Sequence, residues 1–169
     1  MISNRRSFIT GIKGTKLNKK EVNFLKKYKP WGIILFSRNI KTISQTKKLT
    51  HQIKSIFKDK NYPILIDEEG GRVSRLNKFI DSTIFTAEFF GNLYKTDKKK
   101  FNIYYNVYIK QVSYLLNLLG ININTVPVLD VRRKFTNNVI GNRSFSSNSS
   151  LVSKMGKICI QKFHENHIG

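Results

Sequence analysis

Nine residues, Asp67-Glu68-Glu69-Gly70-Gly71-Arg72-Val73-Ser74-Arg75, hold three acids, two glycines and two arginines. A carboxylate accepts from two adjacent hydroxyls, and a guanidinium donates to hydroxyl or carbonyl oxygens from a planar fork. The paired glycines permit a tight backbone path that a Cβ would resist. Arg143 sits in a second polar stretch, Val139-Ile140-Gly141-Asn142-Arg143-Ser144-Phe145. Asp67, Arg75 and Arg143 together describe a polar pocket for a hydroxyl-rich ligand. Two plainer readings stay open: ordinary loop punctuation, and a structural salt bridge that holds loops together.

Other titratable groups carry less. Glu68, Glu69 and Asp130 offer carboxylates for acid/base work, but adjacent acids on a loop point apart, so they are not assigned to catalysis. His164 and His167 lie three apart near the end of a helical pattern, with no third ligand and no recognisable metal motif. The sequence holds no phosphate loop, dinucleotide glycine fingerprint or nucleophile elbow. Its single cysteine, Cys159, falls among apolar helical positions and reads as a buried, inert thiol.

The elements that must position these groups alternate. Phe8 to Ile12 reads as a first strand. Asn18 and Glu21 have capping-box spacing for a helix that carries Val22, Leu25 and Tyr28 and stops at Pro30. The apolar run from Gly32 to Phe36 reads as a strand covered on both faces, followed by Ser37, Arg38 and Asn39. Thr42 and Gln45 start a helix with Leu49, Ile53, Ile56 and Phe57 at helical spacing. Ile64 to Ile66 is a third strand, ending on Asp67. Residues 77 to 100 read as irregular, with a charge run at Lys98 to Lys100. A helix follows from Phe101 to Leu119, its Tyr104, Tyr105 and Tyr108 assigned to core and boundary positions, with Gly120 as cap. Ile121 to Val128 reads as a fourth strand, and a last helix spans Ser150 to Asn166. The alternation calls for a parallel sheet with right-handed crossovers, which places Asp67, Arg75 and Arg143 in loops that follow strands.

With 31 Lys+Arg against 10 Asp+Glu, the 169 residues carry a formal charge of +21. Such a balance suggests nucleic acid or an anionic surface. The lysines, however, are spread over polar helix faces, and no RNA- or DNA-binding signature accompanies them, so a solvated basic surface is the expectation. Arg5-Arg6-Ser7-Phe8-Ile9 is similar to a twin-arginine export signal, but Lys13, Lys16, Lys19 and Lys20 occupy the place of its apolar segment. No run approaches about 18 apolar residues, so no membrane association is expected, and a cytoplasmic location is.

Four stretches, in order, resemble the signatures of bacterial family 3 glycoside hydrolases: Gly32 to Asn39, Asp67 to Arg75, Val126-Pro127-Val128-Leu129-Asp130-Val131, and Ile140 to Phe145. The Asp-Glu-Glu-Gly-Gly-Arg-Val form is similar to the β-N-acetylhexosaminidase branch that trims N-acetylglucosamine from cell-wall fragments. The resemblance implies an α/β fold, the first half of a TIM (β/α)8 barrel with about four parallel strands, an incomplete barrel. It implies that Asp67, Arg75 and Arg143 bind the terminal N-acetylglucosamine, and that the partner is an N-acetylglucosamine-containing glycan or muropeptide. It implies no cofactor. The reaction would retain configuration through a glycosyl-enzyme intermediate on an aspartate, with a loop histidine as acid/base.

In that family the next motif, Lys-His-Phe-Pro-Gly-His-Gly, is expected a few residues beyond Gly169, and His164 and His167 are not its histidines. Residues 1–169 are therefore expected to be the N-terminal part of the catalytic domain, with half of a substrate pocket and none of the catalytic groups. A TIM barrel takes about 250 residues. Four strands leave unpaired edges and an uncovered apolar interior, so the chain is expected to need a C-terminal half or self-association. A carbohydrate-binding remnant without hydrolysis is the alternative, and a basic nucleic-acid-binding protein a more distant one.

Overall fold

The computed structural model describes residues 5–133, 135 and 138–169. In chain order the elements are β1 (Arg6–Gly11), α1 (Lys19–Tyr28), β2 (Pro30–Leu35), α2 (Ile43–Phe57), β3 (Ile64–Ile66), α3 (Ala87–Thr96), α4 (Lys98–Leu119), β4 (Ile123–Asn124) and α5 (Ser149–Glu165). Two helix starts form as their spacing requires. Asn18 Oδ1 accepts from the Glu21 N–H at 2.9 Å, and Glu21 returns the bond to the Asn18 N–H at 2.9 Å. Thr42 Oγ1 accepts from the Gln45 N–H at 3.1 Å.

The strands form one parallel sheet in the order β1-β2-β3-β4. Side chains alternate between its faces. Ile33, Leu35, Ile64 and Ile66 point into the helix layer and are fully buried there against Leu25, Leu49, Ile53, Val112 and Leu116. The register row Gly11, Ile34, Leu65, Ile123 lies on the opposite, inner face. Ile9, two residues before Gly11 on that face, is 46% exposed. Four parallel strands, helices outside and an open sheet make this the first half of a TIM barrel.

Three stretches differ from the sequence expectation. The segment 77–100 is not irregular throughout, because it contains α3 and the first turn of α4. Thr86 caps α3 by accepting from the Phe89 N–H at 3.0 Å. Three lysines in a first turn oppose the helix dipole, so Lys98 to Lys100 do not read as a helix start. Asp97 compensates: its carboxylate accepts from the Lys100 N–H at 2.9 Å while its own N–H closes α3 on the Leu93 carbonyl at 2.8 Å.

The fourth strand is two residues long rather than eight. The Val126 N–H turns back to the Asn124 carbonyl at 2.8 Å, and Pro127 has no N–H to offer a ladder. Asparagine side chains hold this short strand to β3. Asn122 Oδ1 accepts from the Ile64 N–H at 2.8 Å, and Asn124 exchanges two bonds with the Glu68 backbone at 2.9 and 3.0 Å. Finally, Tyr105 and Tyr108 are buried among Phe90 and Phe101, whereas Tyr104 is 49% exposed. Cys159 is buried as expected, and desolvation pushes its thiol up to about 11.

Gly91 joins the fold to the candidate site. A Cβ there would lie 2.0 Å from the Phe145 carbonyl oxygen, so only glycine lets α3 meet the backbone that carries Arg143. Gly91→Ala is expected to destabilise the chain by about 1–3 kcal/mol through overpacking. Urea unfolding measures this; an unchanged midpoint and slope would refute the contact.

Candidate functional site

Strand alternation decides where the acids of the third loop go. Leu65 faces the inner side, so Asp67 does too, while Glu68 turns into the helix layer. There the Glu68 carboxylate is buried and heavily hydrogen-bonded. Its Oε2 accepts from the N–H groups of Arg75 (2.6 Å) and Leu76 (2.9 Å) and from Ser74 Oγ (3.2 Å), while Oε1 accepts from Ser82 Oγ (3.4 Å). Burial lifts its pKa above the ordinary 4.5, and the two backbone donors partly pull it back.

Gly70 and Gly71, at φ of +81° and +59°, turn the chain between these anchors. A Cβ on Gly70 would sit 2.3 Å from the Phe85 carbonyl oxygen and 2.6 Å from Tyr108 Oη. The Gly71 N–H donates to the Ser82 carbonyl at 2.8 Å. The loop therefore folds back on its own acidic anchor and delivers Arg75 to the inner face.

On that face Arg75 Nη2 lies 3.4 Å from Asp67 Oδ2, both side chains about a quarter exposed. Thr125 Oγ1, just past β4, donates to Asp67 Oδ1. The Phe36 ring completes the floor, with the guanidinium carbons of Arg38 and Arg75 at 4.5 and 5.9 Å from its centroid. Arg38 Nε also donates to the Ile12 carbonyl at 3.1 Å. Buried Asn39 ties the loop after β1 to the end of β2, donating to the carbonyls of Ile12 (3.1 Å) and Gly14 (2.8 Å) and accepting from the Phe36 N–H (2.9 Å).

Arg143 reaches the same end of the sheet in a short 3-10 turn, Gly141–Arg143. Its direct partner is Glu69, not Asp67. Nε and Nη2 donate to the two carboxylate oxygens at 2.7 and 2.8 Å, the planar fork geometry that makes such pairs strong. The Glu69 hydrogen bond holds the guanidinium charged beyond its ordinary range, and the charges of Glu69, Asp130 and Asp67 add to this. Arg72 fastens the two loops from the other direction, donating through Nη2 to the carbonyls of Asn138 (2.9 Å), Val139 and Ile140. Asp130 itself is exposed; its carbonyl accepts from Ser144 Oγ at 2.6 Å.

All three residues singled out from the sequence thus gather at the carboxyl ends of the strands. Asp67 and Arg75 touch, and Arg143 joins through Glu69. The salt-bridge reading therefore holds for Asp67 with Arg75 and for Arg143 with Glu69. Sequence reasoning weighed Glu69 only as an acid/base group and set it aside, and it gave no role to Arg72, Arg38 or Thr125. Glu69 and Arg72 stood in the same acidic-basic stretch, and their spacing carried no sign of which carbonyl or cation each would meet. Among the described residues no cluster of three His, Cys, Asp or Glu could hold a metal ion, and no helix is long and apolar enough to cross a membrane.

A half-barrel whose charged groups collect at the carboxyl ends of its strands has the layout of the barrel enzymes, which build their sites from those loops. The chain belongs to glycosyl hydrolase family 3: the profile of that family's N-terminal domain matches residues 5–169. It is 34% identical over 143 residues to beta-hexosaminidase A of Pseudoalteromonas piscicida, a match that covers 82% of this chain and 23% of that protein. It is 27% identical over 161 residues to a beta-hexosaminidase of Xanthomonas campestris pv. campestris, covering 95% of this chain and 47% of that one. NagZ from Neisseria gonorrhoeae, solved in complex with N-trifluoroacetyl-D-glucosamine, aligns at a TM-score of 0.80 and 28% identity over 96% of this chain and 47% of its own. The chain spans about half or less of the length of these relatives.

The buried carboxyl gives a pH test. The folded chain holds the Glu68 proton more tightly than the unfolded chain, so this group favours folding below the ordinary carboxylate pKa. That contribution is lost as pH rises through the elevated folded value. Wild-type stability relative to Glu68→Gln, from urea unfolding at pH values from about 4 upward, should fall as pH rises. A difference that is flat or grows with pH would contradict the burial argument.

Proposed function

We propose that this chain supplies the N-terminal half of the substrate pocket of a retaining β-N-acetylhexosaminidase, which removes terminal, non-reducing N-acetylglucosamine from β-linked glycans. The observation that carries this reading is the inner-face row: Asp67 ion-paired to Arg75, with Arg143 held by Glu69 at the same mouth. Carboxylate and guanidinium groups fixed in this way bind a sugar without first paying to order themselves. Asp67 accepts from neighbouring ring hydroxyls, and Arg75 and Arg143 donate to hydroxyl and acetamido oxygens. The acid/base histidine and the nucleophilic aspartate come from outside these residues, so the chain alone binds sugar weakly and hydrolyses nothing.

The wider setting is part of the same proposal. The substrate class is cell-wall muropeptide fragments, and the reaction belongs to their recycling in the cytoplasm. A basic surface of dispersed lysines needs no nucleic-acid partner.

The test is hydrolysis of an aryl N-acetyl-β-glucosaminide by the chain alone and by the chain combined with a C-terminal half from a family relative. Turnover is expected only in the combination. Turnover by the chain alone would overturn the division of labour, and sugar binding without turnover in the combination would favour a non-catalytic carbohydrate-binding protein. In the active combination, Asp67→Ala should cost about 1.5–3 kcal/mol for each hydrogen bond lost from the charged group, read as reduced kcat/KM. Unchanged kinetics would remove Asp67 from the pocket.

A further inference from the structure

Tyr108, on α4, carries a hydroxyl inside the helix layer. The residue is 7% exposed, and its Oη has no hydrogen-bond partner among the described residues. A buried hydroxyl without a partner is costly, because it has given up its bonds to water for nothing. Packing fixes where this one points. The ring lies against Phe85 and Phe90, with centroids 5.5 and 5.2 Å away. On the loop side a Cβ on residue 70 would come within 2.6 Å of Oη, so Gly70 is what lets the backbone pass.

A cavity of about 30 Å³ lies beside it, bounded by Tyr108 and Ile109 of α4, Glu68 and Glu69, Phe90 of α3 and Cys159 of α5. That volume suits a single water and is too small for a sugar or a cofactor. Arg5 Nε, Arg75 Nε and Ser113 Oγ are also buried without partners among the described residues, but none of those residues borders this cavity.

The same cavity borders an acceptor with capacity to spare. Glu68 Oε2 takes three donors, whereas Oε1 takes Ser82 Oγ at a long 3.4 Å. A carboxylate oxygen has two lone-pair sites, so Oε1 can accept a second bond. Burial, and after it the Glu68 charge, pushes the Tyr108 phenol above its ordinary range, which keeps the hydroxyl a donor.

We propose that one ordered water occupies this cavity, accepting from Tyr108 Oη and donating to Glu68 Oε1. It joins α4 to the carboxylate that anchors the loop carrying Arg75. The proposal does not depend on which ligand the mouth binds.

A crystal structure of the 169-residue chain, at a resolution that shows bound water, should place one water about 2.5–3.0 Å from both oxygens. Crystals pressurised with xenon should hold none at that position, since xenon enters dry, apolar cavities. Tyr108→Phe deletes the donor and keeps the ring. It should lose the water and unfold at a lower urea concentration than the wild type. Tyr114→Phe, at a 64% exposed site on the same helix, should leave the midpoint unchanged. No water there, xenon in the cavity, or a Tyr108 hydroxyl bonded directly to protein would overturn the proposal. So would an equal fall in Tyr114→Phe, or a Tyr108→Phe midpoint at or above the wild type, which is what removing a dry, unpaired hydroxyl gives.

Discussion

A carboxylate taken out of water at the end of β3 must be given donors, and the loop that follows is folded to supply them. Glu68 receives two backbone N–H groups and two hydroxyls from residues 74–82. Hydrogen bonds to a charged group are worth more than neutral ones, and leaving one unmade is costly. The bonds to Glu68 therefore fix where residue 75 emerges. Because neighbouring strand residues face opposite ways, the same anchor that buries Glu68 presents Asp67 on the inner face. One acid organises the loop, and its neighbour is left on the inner face beside Arg75.

The second loop is held to the first by the same kind of chemistry. Glu69 and Arg143 form a two-point ion pair with the Glu69 side chain only 11% exposed, and Arg72 grips the carbonyls at 138–140. An ion pair this well shielded resists salt and competing water better than one on the open surface. Around it, Asn39, Asn122 and Asn124 act as side-chain extensions of the ladder where the strands are short. Polar side chains thus support the main-chain pairing at both ends of the sheet, Asn122 at the amino end and Asn39 and Asn124 at the carboxyl end.

Much of this was legible in the sequence because it rests on local rules. Capping spacing set α1 and α2, continuous apolar runs marked β2 and β3, and two glycines before an arginine announced a tight turn. Alternation placed Asp67, Arg75 and Arg143 in loops that follow strands, and all three lie toward the carboxyl ends of the strands, Asp67 paired with Arg75 and Arg143 with Glu69. What stayed hidden depends on contacts distant in sequence. Helix α3 starts on Thr86 and accepts a glycine in its middle because Phe145 packs there. The lysine run at 98–100 becomes helical because Asp97 caps it. The shortness of β4 follows from how Val126 and Pro127 leave the ladder, which alternation of apolar residues cannot reveal. The partner of Arg143 is Glu69 because of a loop-to-loop distance that no spacing within either loop encodes.

A crystal structure with N-acetylglucosamine bound, in whichever assembly closes the lumen, tests the central claim most directly. The account predicts a sugar seated on the inner face, with Asp67 accepting from its ring hydroxyls and the guanidinium of Arg143 within hydrogen-bond reach while Glu69 still holds it. A sugar bound elsewhere, or one that touches neither side chain, would contradict it.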